Sequence, residues 1–168
     1  MPPNPQPPPP DDAYLALTTC GGWINNADTK NGLLATALAA LTIAAVRQRP
    51  RVEALVDAGV DRRGAVALAL LEVASASILA AGYWLFQALR PRLRNETASR
   101  FSLPHLAVAD LTEYAVYDAQ DVRREALLQA QTLARIGLGK YTRFSKALSC
   151  TSVSGLAFLG WLLAVPTP

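Results

Sequence analysis

Three long stretches of this chain carry no charged residue, and they constrain its fold more than any other feature. They cover residues 31–46, 73–89 and 147–168 of a 168-residue sequence. A helix needs about 20 mostly apolar residues to cross the hydrocarbon core of a bilayer. Together with flanking residues, the three stretches predict transmembrane helices at about 29–48, 66–89 and 147–165.

The first of these stretches is the shortest. As a helix, residues 31–46 span only about 24 Å, so Lys30 and Arg47 would have to lie at the two membrane interfaces. A buried helix of a soluble protein stays open as the alternative for this stretch.

Overall composition agrees with a membrane protein. Charged residues make up 17% of the chain and hydrophobic residues 51%, whereas soluble domains carry about 25% charged residues. The chain is too apolar to be disordered as a whole, and its length excludes a large multidomain enzyme.

The remaining segments predict one helical membrane domain, residues 12–165, behind a tail. Residues 1–11 form a disordered proline-rich tail, and a helix from Tyr14 towards Trp23 leads into the membrane. We expect this helix to be interrupted or bent at Gly21-Gly22. Residues 90–146 form a cytoplasmic helical region, which either runs unbroken into the third membrane helix or hinges at Gly137 and Gly139. The predicted fold class is therefore an all-α integral membrane protein.

The distribution of basic residues predicts the orientation. Of the sixteen Lys and Arg residues, eleven fall in the N-terminal region and in residues 90–146, and five lie in the 47–63 loop. The positive-inside rule then places the N-terminus and residues 90–146 in the cytoplasm.

Residues that typically carry catalysis are scarce. His105 is the single histidine, and Cys20 and Cys150 are far apart in sequence, which argues against a zinc site. The common nucleotide-binding and hydrolase motifs are also absent from the sequence. We predict that the chain is not an enzyme and holds no metal or cofactor.

Two sets of residues each allow two interpretations: the small residues of the first apolar stretch and the basic residues of the 90–146 region. Gly32, Thr36, Ala40 and Ala44 recur at every fourth position, which suits close helix contact either within one protomer or in a homo-oligomer. Basic residues of the 90–146 region, such as Arg90 to Arg94, are interpreted as topology determinants near anionic lipid. Arg100, with aromatic residues nearby in sequence, offers a second interpretation as a phosphate and base contact.

Several short strings, in this order, resemble the transmembrane effector family of Pycsar antiphage systems. The resemblance covers about residues 23–160 and rests on four strings: Ala27-Asp-Thr-Lys30, Pro91-Arg92, Arg100-Phe-Ser-Leu-Pro104, and Ala134-Arg135 followed by Lys140-Tyr141.

The resemblance implies a function. In this family the effector is encoded beside a pyrimidine cyclase, and the expected activating ligand is cyclic CMP or cyclic UMP. The effector would then impair the integrity of the bacterial inner membrane and cause abortive infection, with no nucleic acid as partner.

Among the matching positions, the candidate ligand contacts are Asp28, Lys30, Arg92, Arg100, Lys140 and Tyr141. Asp28 and Lys30 could equally form a structural pair at the cytoplasmic interface. The alternative function is a small helical membrane scaffold that binds a protein partner through its cytoplasmic helices.

Overall fold

The computed structural model describes residues 11–90, 99–102 and 118–165. Every regular element in these ranges is an α-helix: α1 Asp11–Val46, α2 Arg49–Asp57, α3 Arg62–Leu89 and α4 Ala119–Ala164. Helices α1, α3 and α4 contain segments long and apolar enough to cross a membrane, which confirms the predicted all-α membrane fold. The proline-rich tail before residue 11, Arg92 and Pro104 lie outside the described residues.

Helices α1 and α4 are much longer than a membrane span. They contain 36 and 46 residues, which correspond to about 54 Å and 69 Å at 1.5 Å per residue. The predicted interruption at Gly21-Gly22 is wrong, because α1 continues through both glycines, and α4 likewise continues through Gly137 and Gly139. A helical glycine costs only about 1 kcal/mol relative to alanine, less than the loss of several backbone hydrogen bonds.

The connection between α1 and α3 contains a helix that we did not predict. Pro50 lies in the first turn of α2, where proline is tolerated because its missing N–H would have no helical partner. Gly59 follows the end of α2 with a φ of 86°, a conformation that favours glycine. Asp61 then caps α3, since its side chain accepts a hydrogen bond from the Gly64 N–H at 2.7 Å.

The chain divides into two compact units. The first comprises Met1–Asn26 and Pro91–Gly139, and the second comprises Ala27–Arg90 and Lys140–Pro168. Helices α1 and α4 each begin in the first unit and end in the second.

Within the first unit, α1 and α4 run in the same direction. Arg123 Nε donates to Asp12 Oδ1 at 3.1 Å near the start of both helices, and further along, a Cβ built at Gly137 would lie 3.6 Å from Ile24. The ring of Tyr14 also meets Phe101 edge-on at a centroid distance of 6.0 Å.

Within the second unit, α3 runs antiparallel to α1 and α4. At one end, Leu34 of α1 shares a buried cluster with Leu85 of α3 and Ala147 of α4. At the other end, Ala67 near the start of α3 packs with Trp161 near the end of α4. Arg63 Nε donates to the Ala164 carbonyl at 3.0 Å and thus satisfies an acceptor at the end of α4.

Small side chains on α3 allow the three helices to approach closely. Ala67, Ala74, Ala81 and Ala88 recur every seven residues, and none is more than 1% exposed. Small residues at such positions let helices pack by van der Waals contact in lipid, and seven-residue spacing is typical of supercoiled helices.

The small residues noted on α1 do not form this contact. Gly32, Thr36 and Ala40 are exposed and Ala44 is half-buried. Packing within the protomer is therefore the wrong interpretation for the first three, and the alanines of α3 take that role instead.

One hydrogen bond joins α3 and α4 inside the apolar contact. Ser154 is completely buried, and its Oγ donates to the Ala74 carbonyl at 2.9 Å. Ser152, two residues earlier on α4, is exposed and bonds within its own helix to the Leu148 carbonyl.

Replacing Ser154 by alanine is expected to lower the free energy of unfolding by about 0.6 to 1.7 kcal/mol, the range found for interhelical hydrogen bonds in membrane proteins. Denaturant titration of the purified protein in bicelles measures this loss. Ser152→Ala is the matched control, and equal losses in the two variants would contradict the assignment of an interhelical bond.

Candidate functional site

Four of the six predicted ligand contacts lie together in the second unit. Asp28 and Lys30 come from α1, and Lys140 and Tyr141 come from α4. We call these four residues the polar cluster. The members come from strings separated by more than one hundred residues, so the fold brings them together.

The central contact of the polar cluster is an ion pair between the two helices. Lys140 Nζ donates to both carboxylate oxygens of Asp28, at 2.6 and 2.7 Å. The Lys140 side chain is 17% exposed and that of Asp28 is 39% exposed. Because both partners are charged and partly withdrawn from water, the pair is stronger than an exposed one.

The structural pair that we considered between Asp28 and Lys30 is replaced by the pair between Asp28 and Lys140. Side chains two positions apart on a helix do not face each other, so Asp28 is directed to α4. Lys30 instead lies over the ring of Tyr141, with Nζ 5.6 Å from the centroid, inside the roughly 6 Å range of a cation–π contact.

The polar cluster continues the apolar contact between α1 and α4. On α1, the buried residues Ala27, Leu34 and Leu38 lie on one helix face, and Asp28 borders that face. On α4, Lys140 precedes Ala147 by two turns, and Ala147 belongs to the cluster of Leu34 and Leu38. The ion pair therefore ties the helices at the polar end of this contact.

Asn31 is a buried residue of this region that the sequence analysis missed. It is 0% exposed and lies among Ala27, Leu34 and Leu38 on the inward face of α1. Within the described part of the chain, neither its Oδ1 nor its Nδ2 has a hydrogen-bond partner. One polar residue within an apolar stripe at helical spacing was the signal available in the sequence.

A second cation–π contact lies close to the polar cluster along α4. Lys146 Nζ is 4.3 Å from the ring centroid of Trp84 on α3. Lysine and tryptophan are favoured where a helix leaves the hydrocarbon core, and Lys140 is only about 9 Å of helix before Lys146. The polar cluster is thus near the expected membrane boundary.

The two other predicted contacts are placed differently. Arg100 belongs to the first unit, and its Nε donates to Glu125 Oε2 at 2.6 Å, with the Arg100 side chain 12% exposed. Arg92 lies outside the described residues. In the ranges that the structure describes, no group of three or more His, Cys, Asp and Glu residues could hold a metal ion.

Comparison with known protein families identifies the chain. The family model for the Pycsar effector protein domain matches residues 12–167. The chain belongs to this family. Neither the curated proteins nor the solved structures give a match.

Membership of the Pycsar effector family gives the polar cluster its context. A Pycsar effector takes part in defence, and the family implies a cyclase partner and association with a membrane. Three helices able to cross a membrane agree with that setting. Both helices that carry the polar cluster continue into segments long and apolar enough to cross a membrane.

A double-mutant cycle on Asp28→Ala and Lys140→Ala is expected to give a coupling of about 1 to 2 kcal/mol in the free energy of unfolding. The reason is the loss of a two-oxygen, charge-assisted contact in a partly buried position. The measurement is denaturant titration of the four proteins in bicelles.

The matched control is the exposed pair Arg49–Glu53 within α2, whose side chains are 82% and 58% exposed. Its coupling is expected to be at most about 0.5 kcal/mol. A coupling between Asp28 and Lys140 no larger than this control would show that the ion pair does not tie α1 to α4.

Proposed function

We propose that this effector is activated by cyclic CMP or cyclic UMP from a partner pyrimidine cyclase, and that activation impairs membrane integrity and causes abortive infection. In this proposal the protein is a multi-pass protein of the bacterial inner membrane. Its N-terminus and residues 90–146 are cytoplasmic, where the cyclase product is made. Family membership and the composition of the polar cluster support the proposal.

The observation that carries the proposal is the chemistry of the polar cluster. A cyclic nucleotide presents one phosphate charge and one planar base. Lys140 and Lys30 supply two ammonium groups for a phosphate, and the Tyr141 ring supplies an aromatic face of the kind on which bases stack. All three side chains lie near the expected membrane boundary, where a soluble nucleotide could reach them.

In the observed arrangement, these groups already have internal partners. Lys140 is held by Asp28, and the Tyr141 ring is faced by Lys30. A nucleotide that binds here must therefore compete with the Asp28 carboxylate for Lys140. We interpret the observed arrangement as the resting state of the effector.

Competition for Lys140 offers a mechanism of activation. When a phosphate binds Lys140 in place of Asp28, the ion pair between α1 and α4 is broken. This ion pair lies next to the buried cluster of Leu34, Leu38 and Ala147. A ligand that binds better to the untied state shifts the population towards it. Because α1 and α4 continue into the membrane without a break, the shift changes the packing of the membrane helices.

Arg100 and Arg92 stay candidate nucleotide contacts apart from the polar cluster. Like Lys140, Arg100 already forms an ion pair with a carboxylate, that of Glu125. The role that we assign to Lys140 does not depend on either arginine.

Membrane depolarisation in cells that express the effector together with an inducible pyrimidine cyclase tests this function. Wild type is expected to depolarise and to take up dye only when the cyclase is active. Lys140→Gln and Asp28→Asn both break the ion pair, but Lys140→Gln also loses one charge-assisted contact to the phosphate, so it is expected to need at least about tenfold more nucleotide than Asp28→Asn. Asp28→Asn is expected to respond at a lower nucleotide level than wild type, because Lys140 is then released.

A higher nucleotide requirement for Lys140→Gln than for Asp28→Asn separates ligand competition from a purely structural pair, for which the two variants would shift the response equally. Arg49→Ala removes an exposed cation outside the polar cluster and is the matched control. Unchanged membranes in wild type, with insertion confirmed, would contradict the function. A stoichiometric protein partner retained without nucleotide would then favour the membrane scaffold.

A further inference from the structure

Asn31 is placed where a polar side chain is costly. Its side chain is fully buried, and in the described ranges neither polar atom of the carboxamide has a hydrogen-bond partner. A buried amide without partners loses its hydrogen bonds to water and gains none in return. The arrangement that buries Asn31 is thus less stable than the same arrangement with an apolar side chain.

Ser154 shows that the same unit can satisfy a buried polar side chain. It is also completely buried, yet its hydroxyl donates to the Ala74 carbonyl. The two buried residues therefore have opposite effects: Ser154 adds a hydrogen bond between helices, whereas Asn31 lowers the stability of the packed α1. A single buried asparagine between packed helices is known to lower stability while selecting one arrangement over others.

The position of Asn31 links its cost to the polar cluster. Asn31 follows Asp28 by one turn of α1, and side chains three positions apart lie on the same helix face. The ion pair from Asp28 to Lys140 therefore lies one helical turn from the buried carboxamide. A movement of α1 away from the helices packed against it would both break this ion pair and expose Asn31.

We propose that Asn31 is a built-in destabiliser of the resting packing of α1. The ion pair keeps the carboxamide buried, and the carboxamide favours separation of α1 from its neighbours once the ion pair is released. Asn31 therefore brings the resting and separated states close in free energy. If the proposed function holds, on which this consequence rests, Asn31 sets the nucleotide concentration needed for activation.

Thermal unfolding of the purified full chain in detergent, without nucleotide, decides the inference. Asn31→Leu keeps the number and branching of the side-chain heavy atoms and replaces both polar atoms by methyl groups, so the Tm is expected to rise by about 2 to 4 °C or more. Asn31→Ala removes the polar atoms without adding volume and is the second variant in case leucine overpacks the site. A higher Tm in either variant supports the inference, and a Tm equal to or below wild type in both overturns it.

Thr36→Leu is the matched control, because Thr36 lies on the same helix but is exposed. Its Tm is expected to stay within about 1 to 2 °C of wild type. If Thr36→Leu raises the Tm as much as Asn31→Leu does, the gain reflects added hydrophobicity and the inference is overturned.

Dye release from proteoliposomes, titrated with cyclic CMP and with cyclic UMP, tests the consequence for activation. The half-activating concentration for Asn31→Leu is expected to be at least about tenfold higher than for wild type. If proteoliposomes with the wild-type effector release no dye with either nucleotide, the proposed function is contradicted. The Tm comparison would still decide whether Asn31 destabilises the resting packing.

Discussion

Inside a hydrocarbon core, a polar group has no water to bond with, and the second unit is built around that constraint. Helices satisfy their own backbone groups, so the apolar segments of α1, α3 and α4 are helical throughout. Between them, the alanine row on α3 permits close contact, and Ser154 finds an acceptor on α3. At one end of the unit, Arg63 satisfies the Ala164 carbonyl.

At that same end the buried Trp161 Nε1 has no partner in the described residues, and several further polar residues lie at the other end. There, Lys140 bonds both oxygens of Asp28, and Lys30 lies over Tyr141. One turn further into the contact, Asn31 is buried with no partner in the described residues. The same few turns of α1 thus hold an ionic tie, a cation–π contact and a buried polar group. Such a combination agrees with the release on nucleotide binding that we propose.

Much of this fold could be predicted from the distribution of charge. A long stretch without charged residues predicts a segment that can lie in lipid. Three membrane helices are therefore predicted from residues 31–46, 73–89 and 147–168. Local signals were less reliable. Gly21-Gly22 predicts an interruption that α1 does not have, and Pro50 conceals α2, since proline both breaks helices and begins them.

The residues of the polar cluster could be predicted from the sequence, but their contacts could not. The family strings contain Asp28, Lys30, Lys140 and Tyr141, but sequence spacing alone could not pair residues from opposite ends of the chain. The pairing of Asp28 with Lys140 depends on the packing of α1 against α4. Asn31 was hidden for a related reason, because an uncharged polar residue leaves a charge-free stretch intact, and its cost appears only once its burial is known.

We propose above all that the effector itself binds a cyclic pyrimidine nucleotide through the polar cluster. Equilibrium dialysis of purified effector in detergent against labelled cyclic CMP or cyclic UMP measures this directly. We expect saturable binding of at least one of the two nucleotides, with a lower affinity when Lys140 is replaced. An absence of saturable binding to protein that unfolds cooperatively on heating, and is therefore folded, would contradict it.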